Sequence, residues 1–181
     1  MEIQHIDIEG PIIIKPQVFE DERGYFFEPY NGKKFETIGL SETFVQDNQS
    51  LSHKGTVRGL HFQAPPFGQG KLVRVIAGAV LDVIVDIRKN SPTYGQTFSI
   101  ELNAENKLML WVPVGFAHGF STLHDHTIFH YKCTGYYNKE SEGGLRWNDP
   151  DLKINWGVDS AILSEKDKLL PLFNGFNSPF L

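Results

Sequence analysis

Apolar residues in this sequence come in short runs rich in Val, Ile, Phe and Tyr, and nearly every run is closed by Gly, Pro, Asn or Asp. A chain punctuated so often has little room for long helices and builds strands joined by turns instead. The pattern predicts strands at Ile12–Lys15, Tyr25–Tyr30, Phe44–Ser50, Thr56–Gln63, Leu72–Ile76, Ala79–Ile87, Thr97–Leu102, Lys107–Val112, Gly119–Leu123 and Thr127–Thr134. Within Leu81–Ile87, Leu81, Val83, Val85 and Ile87 fall on one face and Asp82, Ile84 and Asp86 on the other, so one face is expected to line a core. Helix is expected only at Gly32–Ile38, stopped by Gly39, and in a short turn beginning at Ser164. So many strands in so short a chain predict an all-β sandwich or barrel.

With 181 residues, and no linker, repeat or low-complexity run, the chain is expected to form a single domain over residues 1–181. The tail from Leu170, with Leu172, Phe173, Phe176 and Phe180 among prolines and glycines, is expected to strap over the body. The formal net charge of −5 argues against a nucleic-acid partner, which would need a basic surface. No run approaches the length of a membrane span, the first residues lack a signal-peptide pattern, and the single Cys133 has no partner for an internal disulfide, so a cytoplasmic location is expected.

Several enzyme classes lack their motifs. There is no GxGxxG and no GxSxG, and Gly70-Lys71 is followed by Leu72 where a phosphate loop needs Ser or Thr. His124-Asp125-His126 with His130 reads as a solvated turn next to a strand rather than a zinc site. The sharpest local signal is Arg58-Gly59-Leu60-His61-Phe62-Gln63. Strict alternation there puts Arg58 and His61 on opposite faces, so one pocket can use both only if a bulge interrupts the strand or the site reaches around its edge. Ser164-Glu165-Lys166-Asp167 fits a capping box, which gives Asp167 a structural reading beside any catalytic one. Taken alone, Arg23 reads as a turn residue, and Tyr131, Tyr136 and Tyr137 read as strand aromatics.

Pro113-Val114-Gly115-Phe116-Ala117-His118-Gly119-Phe120 is similar to the second metal-binding motif of cupins, but His61 is followed by Phe62-Gln63, not by the second histidine and the glutamate of the first motif. The whole chain resembles something more specific. Phe19–Phe26, Val45–Asn48, RGLHFQ at Arg58–Gln63, GKLVR at Gly70–Arg74, VDIRKNSPTYG at Val85–Gly95, Pro113–Phe120, the Tyr131 strand, SEGG at Ser141–Gly144, WND at Trp147–Asp149 and LSEKD at Leu163–Asp167 resemble, in order, the dTDP-4-dehydrorhamnose 3,5-epimerase family.

That resemblance implies a cupin-type jelly roll with a few short helices. It also implies an isomerase that inverts C3 and C5 of dTDP-4-dehydro-6-deoxy-D-glucose in dTDP-rhamnose biosynthesis, a pathway of cell-surface polysaccharide. By similarity His61 is the base, Asp167 its orienting partner and Tyr131 the acid, with Lys71 beside the keto oxygen. Arg23 and Arg58 would meet the pyrophosphate, and Glu28, Gln46, Asn48, His118, Glu142 and Lys166 would line nucleotide and sugar. Tyr137 would stack on the thymine. No cofactor and no metal are implied. Family members are homodimers in which an N-terminal segment crosses to the partner, and Ile12-Ile13-Ile14 is the candidate exchanged strand. The alternatives are a single-carbon epimerase of a related dTDP-4-keto sugar, a metal-dependent cupin, and a sugar-nucleotide binding module without catalysis.

Overall fold

The computed structural model describes residues 1–181. Its strands are β1 (Glu2–His5), β2 (Ile12–Lys15), β3 (Val18–Asp21), β4 (Gly24–Phe27), β5 (Gln46–Ser52), β6 (Val57–Gln63), β7 (Lys71–Ala77), β8 (Ala79–Asp86), β9 (Thr97–Asn103), β10 (Met109–Val112), β11 (Phe116–Thr122), β12 (Thr127–Cys133) and β13 (Glu142–Gly144). The helices are α1 (Gly32–Glu36) and α2 (Glu165–Lys168). Two antiparallel sheets face each other, one in the order β1-β2-β10-β7-β12-β5 and the other β13-β6-β11-β8-β9. This is the expected all-β sandwich of jelly-roll type. The hairpin β3–β4 forms a separate two-stranded sheet.

Alternation explains three layers of core. Val73 and Val75 of β7, Leu110 of β10, Val80 and Ile84 of β8, Phe120 of β11 and Phe129 of β12 point inward between the sheets, where the rings of Phe120 and Phe129 stack with centroids 4.1 Å apart. Strand β8 buries both faces: Val83, Val85 and, just past its end, Ile87 pack outward under Trp156, Leu145 and Phe180 of the C-terminal segment, which forms the expected strap. On the outside of the other sheet, Ile14, Leu72, Met109 and Trp111 are covered by Phe35 of α1 and Leu40. Asn31 caps α1, its side chain accepting from Lys34 N.

Three strands escape the sequence pattern. β1 is exposed throughout, β3 is nearly so, and β13 is Glu-Gly-Gly, so none shows a buried apolar face. Strand β11 begins at Phe116 rather than Gly119, because the Phe116-Ala117-His118 stretch already pairs with β8. Ile12-Ile13-Ile14 is an inner strand rather than the expected edge: β2 lies between β1 and β10, with Ile13 and Ile14 buried, and the sheet edge falls to β1.

At the end of β8, Asp86 pins a corner. Its carboxylate accepts from Arg88 N (3.0 Å), Arg88 Nε (2.9 Å) and Nη2 (2.7 Å), and from the hydroxyls of Ser91 and Thr93, both at 2.6 Å. Arg88 in turn donates to Glu9 O and lies over the Phe116 ring, which ties the N-terminal segment to the same corner. Burial alone would raise the Asp86 carboxyl, but these donors hold it down to about 2. A depressed carboxylate stabilises the fold above its unfolded value of about 4 and loses that contribution as pH falls toward its native value. Asp86→Asn should cost about 3 kcal/mol at neutral pH and flatten the loss of stability between about pH 4 and pH 2. Denaturation curves as steeply acid-dependent as the parent's would contradict this.

Candidate active site

At one end of the sandwich the inner faces turn polar. Alternate residues of β5, Gln46, Asn48, Ser50 and Ser52, stand opposite the inward Cys133, Tyr131, Phe129 and Thr127 of β12. The cavity there holds about 630 Å³ and is lined by Asn48, Arg58, His61, Lys71, His118, Tyr131, Lys166 and Asp167, among others. That volume is in the range of small-molecule sites.

Of the two arrangements that the sequence leaves open, the structure has the bulge. Along β11, His118 faces His61 and Phe120 faces Arg58, so two steps on β11 answer three on β6. The extra residue is absorbed at Gly59, whose φ is +127° and whose added Cβ would lie 2.5 Å from Gly119 Cα. Only glycine fits there without strain. Past it, Leu60 and Phe62 point outward into the strap while Arg58 and His61 both face the cavity.

His61 Nε2 lies 2.7 Å from Asp167 Oδ1, and Gly59 N donates to Oδ2 at 3.4 Å. Burial would raise the Asp167 carboxyl, but the hydrogen bond and charge of His61 hold it below the usual range. The two readings of Asp167 are divided between its atoms. Its N–H donates to Ser164 Oγ at 3.1 Å and caps α2, while its carboxylate turns to His61 instead of closing the box.

Tyr131 stands on the opposite wall, in the other sheet. Burial, with the nearby Cys133, pushes its phenol up to about 12, so it stays protonated at neutral pH. Lys71 Nζ lies 5.9 Å from the Tyr131 ring centroid, and burial lowers its pKa. Arg58 Nε donates to Ser52 Oγ at 3.1 Å, linking the two sheets at the mouth. Along the rim, Tyr137 N donates to Gln46 Oε1 (3.1 Å), Gln46 Nε2 to Asn48 Oδ1 (3.0 Å) and the Tyr137 hydroxyl to Glu142 Oε2 (3.0 Å), and Glu142 pairs with Lys166.

Two expected residues lie elsewhere. Arg23, with 85% of its side chain exposed, sits at the tip of the β3–β4 hairpin and pairs with Asp21. Glu28 pairs with Lys34 and accepts from Asn31 Nδ2 at 3.1 Å, away from the cavity. Neither lines the cavity of its own chain: the hairpin lies on the outside of the six-stranded sheet, with Phe27 beside the Arg74 guanidinium and Tyr25 beside the Lys107 ammonium. Sequence reasoning missed Asp82, whose oxygens both lie 3.0 Å from His118 Nε2. Its signal was a carboxylate beside Ile84 on a strand that buries both faces.

The model of the dTDP-4-dehydrorhamnose 3,5-epimerase family matches residues 5–175. The chain belongs to this family. The epimerase of Salmonella typhimurium is 53% identical over 169 residues, covering 92% of each chain. The crystal structure of the Elizabethkingia anophelis epimerase superposes with a TM-score of 0.93 at 51% identity, over 98% of both chains. That of a Legionella pneumophila epimerase in complex with dTDP-4-keto-L-rhamnose also gives 0.93, at 46% identity over 97% of this chain and 94% of that one. A 3'-monoepimerase from Streptomyces bikiniensis, in complex with dTDP-quinovose, gives 0.87 at 32% identity over 92% and 85%. The cupin-type jelly roll is thus the family's fold, and the chain is an epimerase of the isomerase class.

Asp167→Asn retains the N–H that caps α2 and nearly all the side-chain volume. It should lower turnover by about 10²-fold or more while the melting temperature moves by only a few degrees. Unchanged turnover with a lowered melting temperature would leave Asp167 a capping residue alone.

Proposed function

We propose that this protein, acting as one domain in the cytoplasm, epimerises C3 and C5 of dTDP-4-dehydro-6-deoxy-D-glucose to give dTDP-4-dehydro-L-rhamnose. The observation that carries the reading is the placement of His61 and Tyr131 on opposite walls of one cavity. Inversion at a carbon needs a proton taken from one face and returned to the other. Carbons flanking a ketone have removable protons because the electron pair left behind moves onto the oxygen as an enolate.

In this reading His61 removes the proton, and Asp167, 2.7 Å from its Nε2, holds the ring and stabilises the imidazolium that forms. The Lys71 ammonium faces the developing oxyanion. Tyr131, kept as a phenol by burial, returns a proton from the far wall. The cycle involves no net oxidation, so the chemistry asks for no redox cofactor. A metal-dependent cupin reading is disfavoured because His61 and His118 each commit Nε2 to a carboxylate. Arg58 would hold the pyrophosphate with its guanidinium fork, Asn48 and His118 would line the sugar, and Gln46, Tyr137, Glu142 and Lys166 would receive the nucleotide at the rim. No helix is long and apolar enough to cross a membrane.

Arg23 and Glu28 enter this scheme only through a second copy of the chain. An isolated two-stranded hairpin is marginally stable, and β3–β4 exposes Phe19, Tyr25 and Phe26 around Arg23. A homodimer in which this hairpin crosses to the partner, rather than Ile12–Ile14, would cover those aromatics and bring Arg23 to the partner's pyrophosphate.

In heavy water the wild-type protein should place deuterium on both carbons flanking the ketone; incorporation at only one would assign a monoepimerase. His61→Asn should abolish exchange while retaining nucleotide binding, and full activity would end the proposal. Tyr131→Phe should let exchange outlast net epimerisation, whereas an unchanged ratio would reduce Tyr131 to packing. For the dimer, mixing His61→Asn with Arg23→Ala should restore activity that neither has alone, since one site in each mixed pair is intact. Absence of recovery, or a monomer by sedimentation, would contradict the crossing hairpin.

A further inference from the structure

A second histidine–carboxylate pair faces the same cavity; in the reading above its histidine only lines the sugar and its carboxylate has no role. Asp82, on β8, is fully buried, and its two oxygens make their only hydrogen bonds to His118 Nε2, each at 3.0 Å. Its neighbours on that face, Val80 and Ile84, belong to the apolar core. A carboxylate in such surroundings costs several kcal/mol unless a partner compensates it. His118 is itself buried, with its ring stacked 6.2 Å from that of Phe129. Its Nδ1 has no hydrogen-bond partner in the protein, yet the only buried side-chain polar atom left without one is Thr122 Oγ1. Nδ1 therefore opens onto the cavity that His118 lines.

Burial favours an electrically neutral pair, and two arrangements of protons achieve that. Either Asp82 is a carboxylate and His118 an imidazolium, or Asp82 is a carboxylic acid donating to Nε2 of a neutral ring. In both, Nδ1 carries a hydrogen. Burial pushes the Asp82 carboxyl up, with His118 and Lys71 opposing.

We propose that Asp82 is a positioning residue that fixes His118 with Nδ1–H aimed at the substrate's ketone oxygen, making His118 the second donor to the enolate beside Lys71. The proposal rests on the epimerase reading and deepens it. The two donors come from opposite sheets, His118 from β11 and Lys71 from β7, so the oxygen is held from both walls. The ketone carbon lies between C3 and C5, so both enolates put their charge on the same oxygen. One fixed pair of donors can then serve both proton abstractions, and His61 and Tyr131 are left to handle the carbons.

The test has two arms. In 15N-labelled wild-type protein without substrate, the ring-nitrogen shifts of His118 at neutral pH should report a protonated Nδ1; a bare lone pair there overturns the proposal and leaves the epimerase reading standing. In the second arm, Asp82→Asn, close in shape but unable to counter an imidazolium, should lower kcat by about 10²-fold with KM changed by less than about threefold. Deuterium incorporation at the two carbons should fall by the same factor. A kcat within about threefold of wild type, or a loss confined to one carbon, overturns the proposal. A wild type that exchanges neither carbon overturns both readings. Should Asp82→Asn not fold, the 15N arm on the wild type still decides.

Discussion

Strand β6 carries one residue more than the stretch of β11 it faces, and that residue, Gly59, turns Arg58 and His61 onto the same wall. Without it, period-two alternation would send one of them outward into the C-terminal strap. The same bulge presents the Gly59 N–H to Asp167 Oδ2, so the strand helps seat the carboxylate that orients His61. The backbone can make this turn because Gly59 lies against Gly119, where neither strand has a side chain to keep them apart.

The pocket places charge inside a sandwich whose remaining interior is apolar, and part of that charge is answered locally. His61 meets Asp167, His118 meets Asp82, and Glu142 meets Lys166. Lys71 and Arg58 line the cavity wall with no ion pair in the protein, and burial lowers the pKa of Lys71. An ammonium kept without a counter-ion in a low-dielectric pocket is a strong attractor for a developing oxyanion. Asp167 is delivered by a segment distant in sequence, so the site depends on the strap. Trp156 and Phe180 fix that segment against β6, β8 and β11, with Trp156 Nε1 donating to Trp147 O at 2.7 Å.

Much of this was legible in the sequence, for reasons that differ by residue. Strands β5 to β12 show runs of β-forming residues bounded by turn residues, and each appears within a few residues of its expected place. The parity conflict at Arg58 and His61 called for a bulge or a site reaching around the strand edge, and both the choice of the bulge and its position at Gly59 could be seen only in the pairing with β11. The capping pattern at Ser164 correctly placed α2, but which way the Asp167 carboxylate turns depends on His61, 106 positions away in the chain. Arg23 and Glu28 were expected in the pocket from resemblance alone. Local sequence carries no information about where a hairpin with no core of its own will pack. Asp82 was assigned to a face but not to a partner, since His118 reaches it only across the β8–β11 pairing.

The central claim is that the Gly59 bulge sets the alignment of base, substrate and acid, and Gly59→Ala tests it most directly. The added methyl meets Gly119 backbone at 2.5 Å, and φ of +127° is strained for alanine, so the strands must shift. With the protein held well below its melting transition, solvent-deuterium incorporation into the 4-keto sugar nucleotide should slow by about 10²-fold, because His61 moves relative to Tyr131. Incorporation at a rate within about threefold of the parent, from a variant still folded, would contradict the account.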